Sequence, residues 1–200
     1  MAELVFGLMV YAVRNFYNGK SGCELMGKKL GILAFGNVGR NVARIAKGFG
    51  MDVYAYDAYC PKEAITAAGV TAVDSQEALF EVADIVSLHI PATPETTKSI
   101  NYSLVNKLPK GGILVNTARK EVIDEEELLK LMAEREDIKY VTDIMPVADA
   151  EFQKLEGRYF STPKKMGAQT EEANINAGIA AANQISDFFA TGNKKFQVNK

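Results

Sequence analysis

Lys29-Leu30-Gly31-Ile32-Leu33-Ala34-Phe35-Gly36-Asn37-Val38-Gly39-Arg40 is the stretch on which the fold turns. Its apolar run breaks at Gly36 and gives way to a pattern in which Val38, Val42, Ile45 and Ala46 share one face of a helix. The reading is a strand, a tight turn and a helix whose first backbone N–H groups point at whatever fills the turn. Such a helix start holds an anion without a cationic side chain, and the pyrophosphate of a dinucleotide is the simplest candidate. Gly36, Asn37, Val38 and Gly39 form the proposed cradle: Gly36 sits where backbone approaches phosphate and Gly39 where helix packs on strand. Ala34 replaces the first glycine of a G-x-G-x-x-G pattern. It fits if its φ is negative, whereas a positive φ costs about 1 kcal/mol or more.

The next apolar run, Asp52-Val53-Tyr54-Ala55-Tyr56-Asp57, ends in an acid 21 positions beyond Gly36. That spacing suits a carboxylate accepting hydrogen bonds from the adenosine ribose. An ordinary turn of an α/β protein would carry the same glycines, and the placed Asp57 is what favours the cofactor. Asp57 would repel a 2′-phosphate and no arginine follows it in Ala58-Tyr59-Cys60, so NAD is favoured over NADP.

Outward from this unit, strands alternate with helices. Residues 61–69 and the Ser75-capped stretch 75–82, with Ala78, Leu79 and Val82 inward, read as short helices. Residues 83–89, 111–116 and 138–143 read as buried strands, and Asp124-Glu125-Glu126-Glu127 opens a helix with acids where its dipole prefers them. Thr170-Glu171-Glu172 starts a long helix with Ile175, Ile179, Ala182, Ile185 and Phe189 on one stripe. The alternation predicts an α/β fold: a doubly wound parallel sheet of Rossmann type with flanking helices. Three segments are expected: 1–22, an interdomain or dimerisation helix and linker; 23–168, the NAD-binding domain; and 169–200, a C-terminal helix. Residues 3–17 are apolar nearly all round, which predicts either a subunit interface, hence a homodimer, or cover by polypeptide that is absent.

At 200 residues the chain accommodates one well-buried domain. With 23 basic against 25 acidic residues it offers no footprint for nucleic acid. Cys23 and Cys60 are too few for a disulfide framework or metal site and suit reduced thiols, hence a cytoplasmic location. The apolar run Leu4–Val13 follows Glu3 instead of a basic segment and is too short to span a bilayer, so no membrane partner is expected.

In such a sheet, chemistry gathers at the carboxyl ends of strands. His89, Asn116, Thr117, Arg119 and Asp143 stand there. Arg119 can grip a carboxylate bidentately, unless it is consumed by an ion pair with Glu125–Glu127. His89 is the single histidine and reads as a hydrogen-bonded strand end, placed with the cofactor-side residues because a cofactor-facing loop begins beside it.

The phosphate turn, Ser87-Leu88-His89-Ile90-Pro91-Ala92-Thr93-Pro94-Glu95-Thr96 and Ile113-Leu114-Val115-Asn116-Thr117-Ala118-Arg119 together resemble the D-isomer-specific 2-hydroxyacid dehydrogenases. The likeness runs from residue 2 to about residue 190. It implies a hydride exchanged between NAD and C2 of a small-molecule 2-hydroxy acid, 3-phosphoglycerate in the branch the chain looks most like. It also implies Asn37 and Val38 on the pyrophosphate, Asp57 on the ribose, and Pro91 and Thr96 along the adenosine. Thr117, Ala118 and Asp143 would orient the nicotinamide, Arg119 would grip the substrate, and Gly167 would lie on the cofactor side. The family's substrate lobe draws on an N-terminal segment, and the expectation is a cofactor lobe from which that segment is absent.

Two departures stand out. Where the family has its acid–base histidine, the run Thr162-Pro163-Lys164-Lys165-Met166-Gly167 has lysine, and the family's glutamate aligns with Ala148, beside Asp149. Lys165 could take the proton role if its pKa falls by about 3 units from the ordinary value near 10.4. The alternative is a non-catalytic, NAD-responsive dimerisation module of the corepressor type.

Overall fold

The computed structural model describes residues 1–199. Its centre is a seven-stranded parallel sheet: β1 (Lys29–Leu33), β2 (Asp52–Tyr56), β3 (Thr71–Ala72), β4 (Ile85–Leu88), β5 (Ile113–Asn116), β6 (Lys139–Thr142) and β7 (Tyr159–Ser161). The order is β3-β2-β1-β4-β5-β6-β7, so the winding reverses between β1 and β4 and opens a crevice at their carboxyl ends. β4 and β5 are buried at every residue, as expected of strands covered on both faces. The two-residue β3 and three-residue β7 are too short to leave a periodic signal and were not anticipated.

The helices are α1 (Ala2–Val13), α2 (Asn37–Gly48), α3 (Lys62–Ala67), α4 (Gln76–Val82), α5 (Tyr102–Val105), α6 (Glu125–Glu134), α7 (Asp149–Phe152) and α8 (Glu171–Thr191). One core gathers Phe6, Met9, Val42 and Ala46 of α1 and α2 on one sheet face. The other gathers Leu79, Phe80, Leu128 and Leu131 of α4 and α6 on the opposite face. Ser75 Oγ accepts from Ala78 N at 3.1 Å and caps α4. Phe80 and Leu79 are its buried residues, while Ala78 and Val82 are only half-buried.

Two compact units result, Met1–Lys165 and Met166–Lys200. α1 therefore lies inside the unit that carries the sheet. The expectation that its apolar surface needs an outside partner is corrected: Val5, Phe6, Leu8, Met9, Ala12 and Val13 are buried against α2 and the sheet, and Phe6 stacks on Phe49 at 5.0 Å. An all-round apolar helix is satisfied here because it is wedged between another helix and β5–β6. α1 also stops at Val13, since Asn15, Phe16 and Tyr17 adopt φ of 52, 55 and 55°. Lys139 Nζ donates to Ala12 O (2.8 Å) and to Asn15 Oδ1 (2.7 Å), placing a cation on the open carbonyl end.

In the second unit, Thr170 Oγ1 accepts from Ala173 N at 3.1 Å and Gly192, at φ 71°, ends α8. None of the residues of α8 is buried, and the expected stripe of Ile175, Ile179, Ile185 and Phe189 faces solvent. Among the described residues no helix is long and apolar enough to cross a membrane.

Candidate functional site

β1 delivers the chain to a turn that starts α2. Gly36 is the N-cap of α2 and offers no side chain, and the first helical bond runs from Arg40 N to Gly36 O at 3.0 Å. The amides of Asn37, Val38 and Gly39 therefore lack helical partners, as at any helix start. A Cβ on Gly36 would meet nothing within 4 Å, so the space over the turn is open. A Cβ on Gly39 would lie 2.3 Å from Ala34 O, so close packing of helix on turn demands glycine there.

Ala34 has φ 78°, contrary to the expectation of a negative value. The strain is imposed from both sides. Ala34 N donates to Tyr56 O at 2.8 Å, and Phe35 N donates to Asp57 Oδ2 at 2.7 Å, so the backbone must reverse between two bonds to the end of β2. Asp57 thus supports the turn as well as facing the cavity.

The second oxygen, Asp57 Oδ1, accepts from Tyr59 N (2.8 Å) and Cys60 N (2.9 Å). Burial alone would raise the Asp57 pKa, but the N–H donors of Tyr59, Phe35 and Cys60, with the Arg40 charge nearby, outweigh it and hold the carboxyl below its ordinary value. Three of about four acceptor positions are filled, which leaves roughly one for a ligand hydroxyl. Asp57 shares a cavity of about 270 Å³ with Ala34, Tyr56, Pro91, Thr96 and Ser99. Thr96 Oγ1 donates to Pro91 O at 2.6 Å and accepts from Thr93 N at 2.8 Å, tying the loop that forms one wall. The structure thus brings Asp57, Pro91 and Thr96 together.

His89 is not on that wall. Its N donates to Leu33 O at 2.9 Å and its Nε2 lies 3.0 Å from Ser87 Oγ, so it joins β1 to β4 as a strand-end residue. Burial depresses its pKa to about 4, which leaves the ring neutral at pH 7.

Further along the sheet, the Asn116 side chain shapes the turn after β5: its Oδ1 accepts from Ala118 N and its Nδ2 donates to Arg119 O, each at 3.0 Å. Asp143, fully buried after β6, accepts from Thr162 Oγ1 at 3.0 Å. Arg119 is exposed and its Nη1 donates to Ala118 O at 2.8 Å. The alternative ion pair with the start of α6 does not form. Glu125 instead accepts from Val147 N (3.0 Å) and Ala148 N (2.7 Å), and Glu127 accepts from Tyr102 N (2.9 Å).

Lys165 Nζ donates to the same oxygen, Ala118 O, at 3.3 Å. Two cations therefore converge on one carbonyl. Burial first, then the Arg119 charge, lower the Lys165 pKa against the opposing pull of Asp143 and Glu121. Asp149, the acid next to Ala148, is engaged elsewhere: Tyr159 OH donates to its Oδ1 at 2.6 Å. Gly167 belongs to the C-terminal unit.

Two buried hydroxyls, Ser99 Oγ and Thr117 Oγ1, have no partner among the described residues. Both oxygens are enclosed by the chain; Ser99 is a residue of the cavity lining and Thr117 follows β5 beside Ala118. Open space over Gly36 and a carboxylate with acceptor capacity to spare, beside a formed cavity, fit a dinucleotide laid across the carboxyl edge of the sheet.

Comparison with known proteins adds independent support. Residues 10–163 match the family model described as D-isomer specific 2-hydroxyacid dehydrogenase, NAD binding domain. A D-3-phosphoglycerate dehydrogenase of Methanocaldococcus jannaschii is 36% identical over 92% of this chain and 38% of its own length. A hydroxypyruvate reductase of Thermotoga maritima is 37% identical over 92% of this chain and 65% of its own length. Among solved structures, an NAD+-bound 3-phosphoglycerate dehydrogenase of Entamoeba histolytica superposes with a TM-score of 0.90 at 48% identity, covering 100% of this chain and 64% of the other. The chain thus spans between about two fifths and two thirds of these relatives.

Proposed function

The chain belongs to the D-isomer-specific 2-hydroxyacid dehydrogenase family as its NAD-binding domain, and we propose that it serves the oxidation of 3-phosphoglycerate to the 2-oxo acid. NAD, when bound, supplies the acceptor for the hydride that leaves C2. The observation that carries the reading is the meeting of Arg119 Nη1 and Lys165 Nζ at Ala118 O, next to the buried Asp143. In this reading Arg119 pairs with the substrate carboxylate through two parallel N–H bonds. Lys165, as the neutral amine, takes the proton of the C2 hydroxyl, and as the ammonium returns it in the reverse direction. Its lowered pKa favours the neutral form that the first role needs.

Asp57, with Asn37 and Val38, is proposed to hold the adenosine ribose and pyrophosphate, and Asp143 with Thr117 the nicotinamide end. The substrate assignment draws on the names of relatives, one of which is a hydroxypyruvate reductase instead. Joined to an upstream substrate lobe, the chain should form NADH from NAD and 3-phosphoglycerate faster than from glycerate or lactate, and faster than the chain without it. NADH binding without turnover of any 2-hydroxy acid would refute the proposal in favour of a non-catalytic, NAD-responsive module.

A further inference from the structure

Lys165 is exposed, and its amine is held at the tip of a long side chain by one bond of 3.3 Å from Nζ to Ala118 O. A single bond does not fix an ammonium group on a flexible four-carbon stem, so its place depends on the backbone that carries it. That backbone is the run Thr162-Pro163-Lys164-Lys165 that follows β7. Pro163 has no N–H with which to bond the sheet. The run is tied back instead through the carbonyl of Lys164, which accepts from Thr162 Oγ1 at 2.8 Å.

The hydroxyl that makes this tie is itself held. Thr162 N donates to Thr142 O at 3.0 Å, which fixes the residue beside β6. The proline that follows favours extended backbone at Thr162, and the branched Cβ restricts its χ1, so Oγ1 has little freedom. Thr162 is buried, and its Oγ1 also lies 3.0 Å from Oδ1 of the fully buried Asp143. One hydroxyl proton is thus shared between a carboxylate at the end of β6 and the carbonyl next to Lys165. The charges that face Lys165 are Arg119 and Glu121 from the segment after β5 and Asp143 from the end of β6. Burial and Arg119 lower its pKa, so a displacement that takes the amine away from them would let the pKa rise.

We infer that Thr162 is a positioning residue for Lys165: its hydroxyl, anchored on Asp143, holds the carbonyl of Lys164 and thereby keeps the amine beside Arg119. This rests on the reading of Lys165 as the acid–base group. The test is oxidation of 3-phosphoglycerate against pH by the chain joined to an upstream substrate lobe. It compares Thr162→Val, Thr162→Ser, Lys165→Met and the double variant Thr162→Val with Lys165→Met. Thr162→Val keeps the shape and loses the hydroxyl, and it should lower kcat by about tenfold to a hundredfold. Its KM for NAD should stay near that of the unaltered protein, while the apparent pKa of oxidation moves up toward the ordinary lysine value. Thr162→Ser should recover most of kcat and the original pH profile. On the Lys165→Met background, Thr162→Val should change the residual rate by less than about twofold, because no amine is left to position.

An undiminished kcat in Thr162→Val overturns the inference, as does a fall in kcat with an unmoved pH profile. An equal fall on both backgrounds also overturns it, since the hydroxyl then supports the fold and not the amine. If Thr162→Val does not fold, Thr162→Ser decides: a displaced pH profile with the hydroxyl still present counts against the contact. If the unaltered protein oxidises no 2-hydroxy acid, or Lys165→Met keeps full turnover, the acid–base reading itself fails and this inference with it.

Discussion

At the β2 end of the groove Asp57 collects three backbone N–H donors, props a strained turn and faces a formed cavity. At the β5–β6 end Arg119 and Lys165 share one carbonyl oxygen and are otherwise exposed. The first end is preorganised: its polar groups are fixed before any ligand arrives, so little further ordering is required on binding. The second holds its charged groups by one bond each, an arrangement a substrate carboxylate can reorganise. Affinity for the cofactor and competence for chemistry should therefore respond to different substitutions.

The largest separation is expected at Lys165. Lys165→Met should lower turnover by about 10²–10⁴-fold, the usual range for loss of a general acid–base group, while NADH affinity stays within about twofold by calorimetry. Oxidation by the unaltered protein should rise with pH through an apparent pKa below the ordinary lysine value, in the direction that burial and Arg119 impose. Wild-type turnover in the variant would abolish the contrast between the two ends.

A smaller effect, on the opposite side of the comparison, is expected at Asp57. In Asp57→Asn one acceptor oxygen becomes an amide donor facing a backbone N–H. Folding stability should drop by about 1–3 kcal/mol in urea titration, and NADH should bind more weakly. The folded pKa of Asp57 is depressed, so its contribution to stability is present above the ordinary value of 3.8 and is lost as pH falls through the folded value. The variant should lack that acid-side loss. The smallest effect is expected at the strained turn, where Ala34→Gly relieves φ 78° and should stabilise the unliganded chain by about 1 kcal/mol in the same titration.

Much of this was legible because it depends on local chemistry. The β1–α2 turn, the Ser75, Asp124 and Thr170 caps and the acid ending β2 each announce themselves within a few residues. What covers α1 and α8 is a matter of another kind. Both are apolar, yet α1 is buried and α8 is not, and no local pattern reports which neighbour arrives to cover a face. The alternative ion pair of Arg119 could be decided only by the same kind of information: Glu125 and Glu127 are engaged by the backbone of Val147, Ala148 and Tyr102, residues distant in the chain.

By itself the sequence determined the alternation of strands and helices, the glycine turn that opens α2 and the acid that ends β2, since periodicity, glycine placement and charge act over one or two turns of chain. Only the tertiary structure decided that Ala34 must adopt a left-handed conformation, that burial keeps the His89 ring neutral, and that Lys165 reaches Arg119 across 46 positions to share Ala118 O. Each of these is set by what long-range packing brings alongside, a quantity that no residue carries in its own neighbourhood.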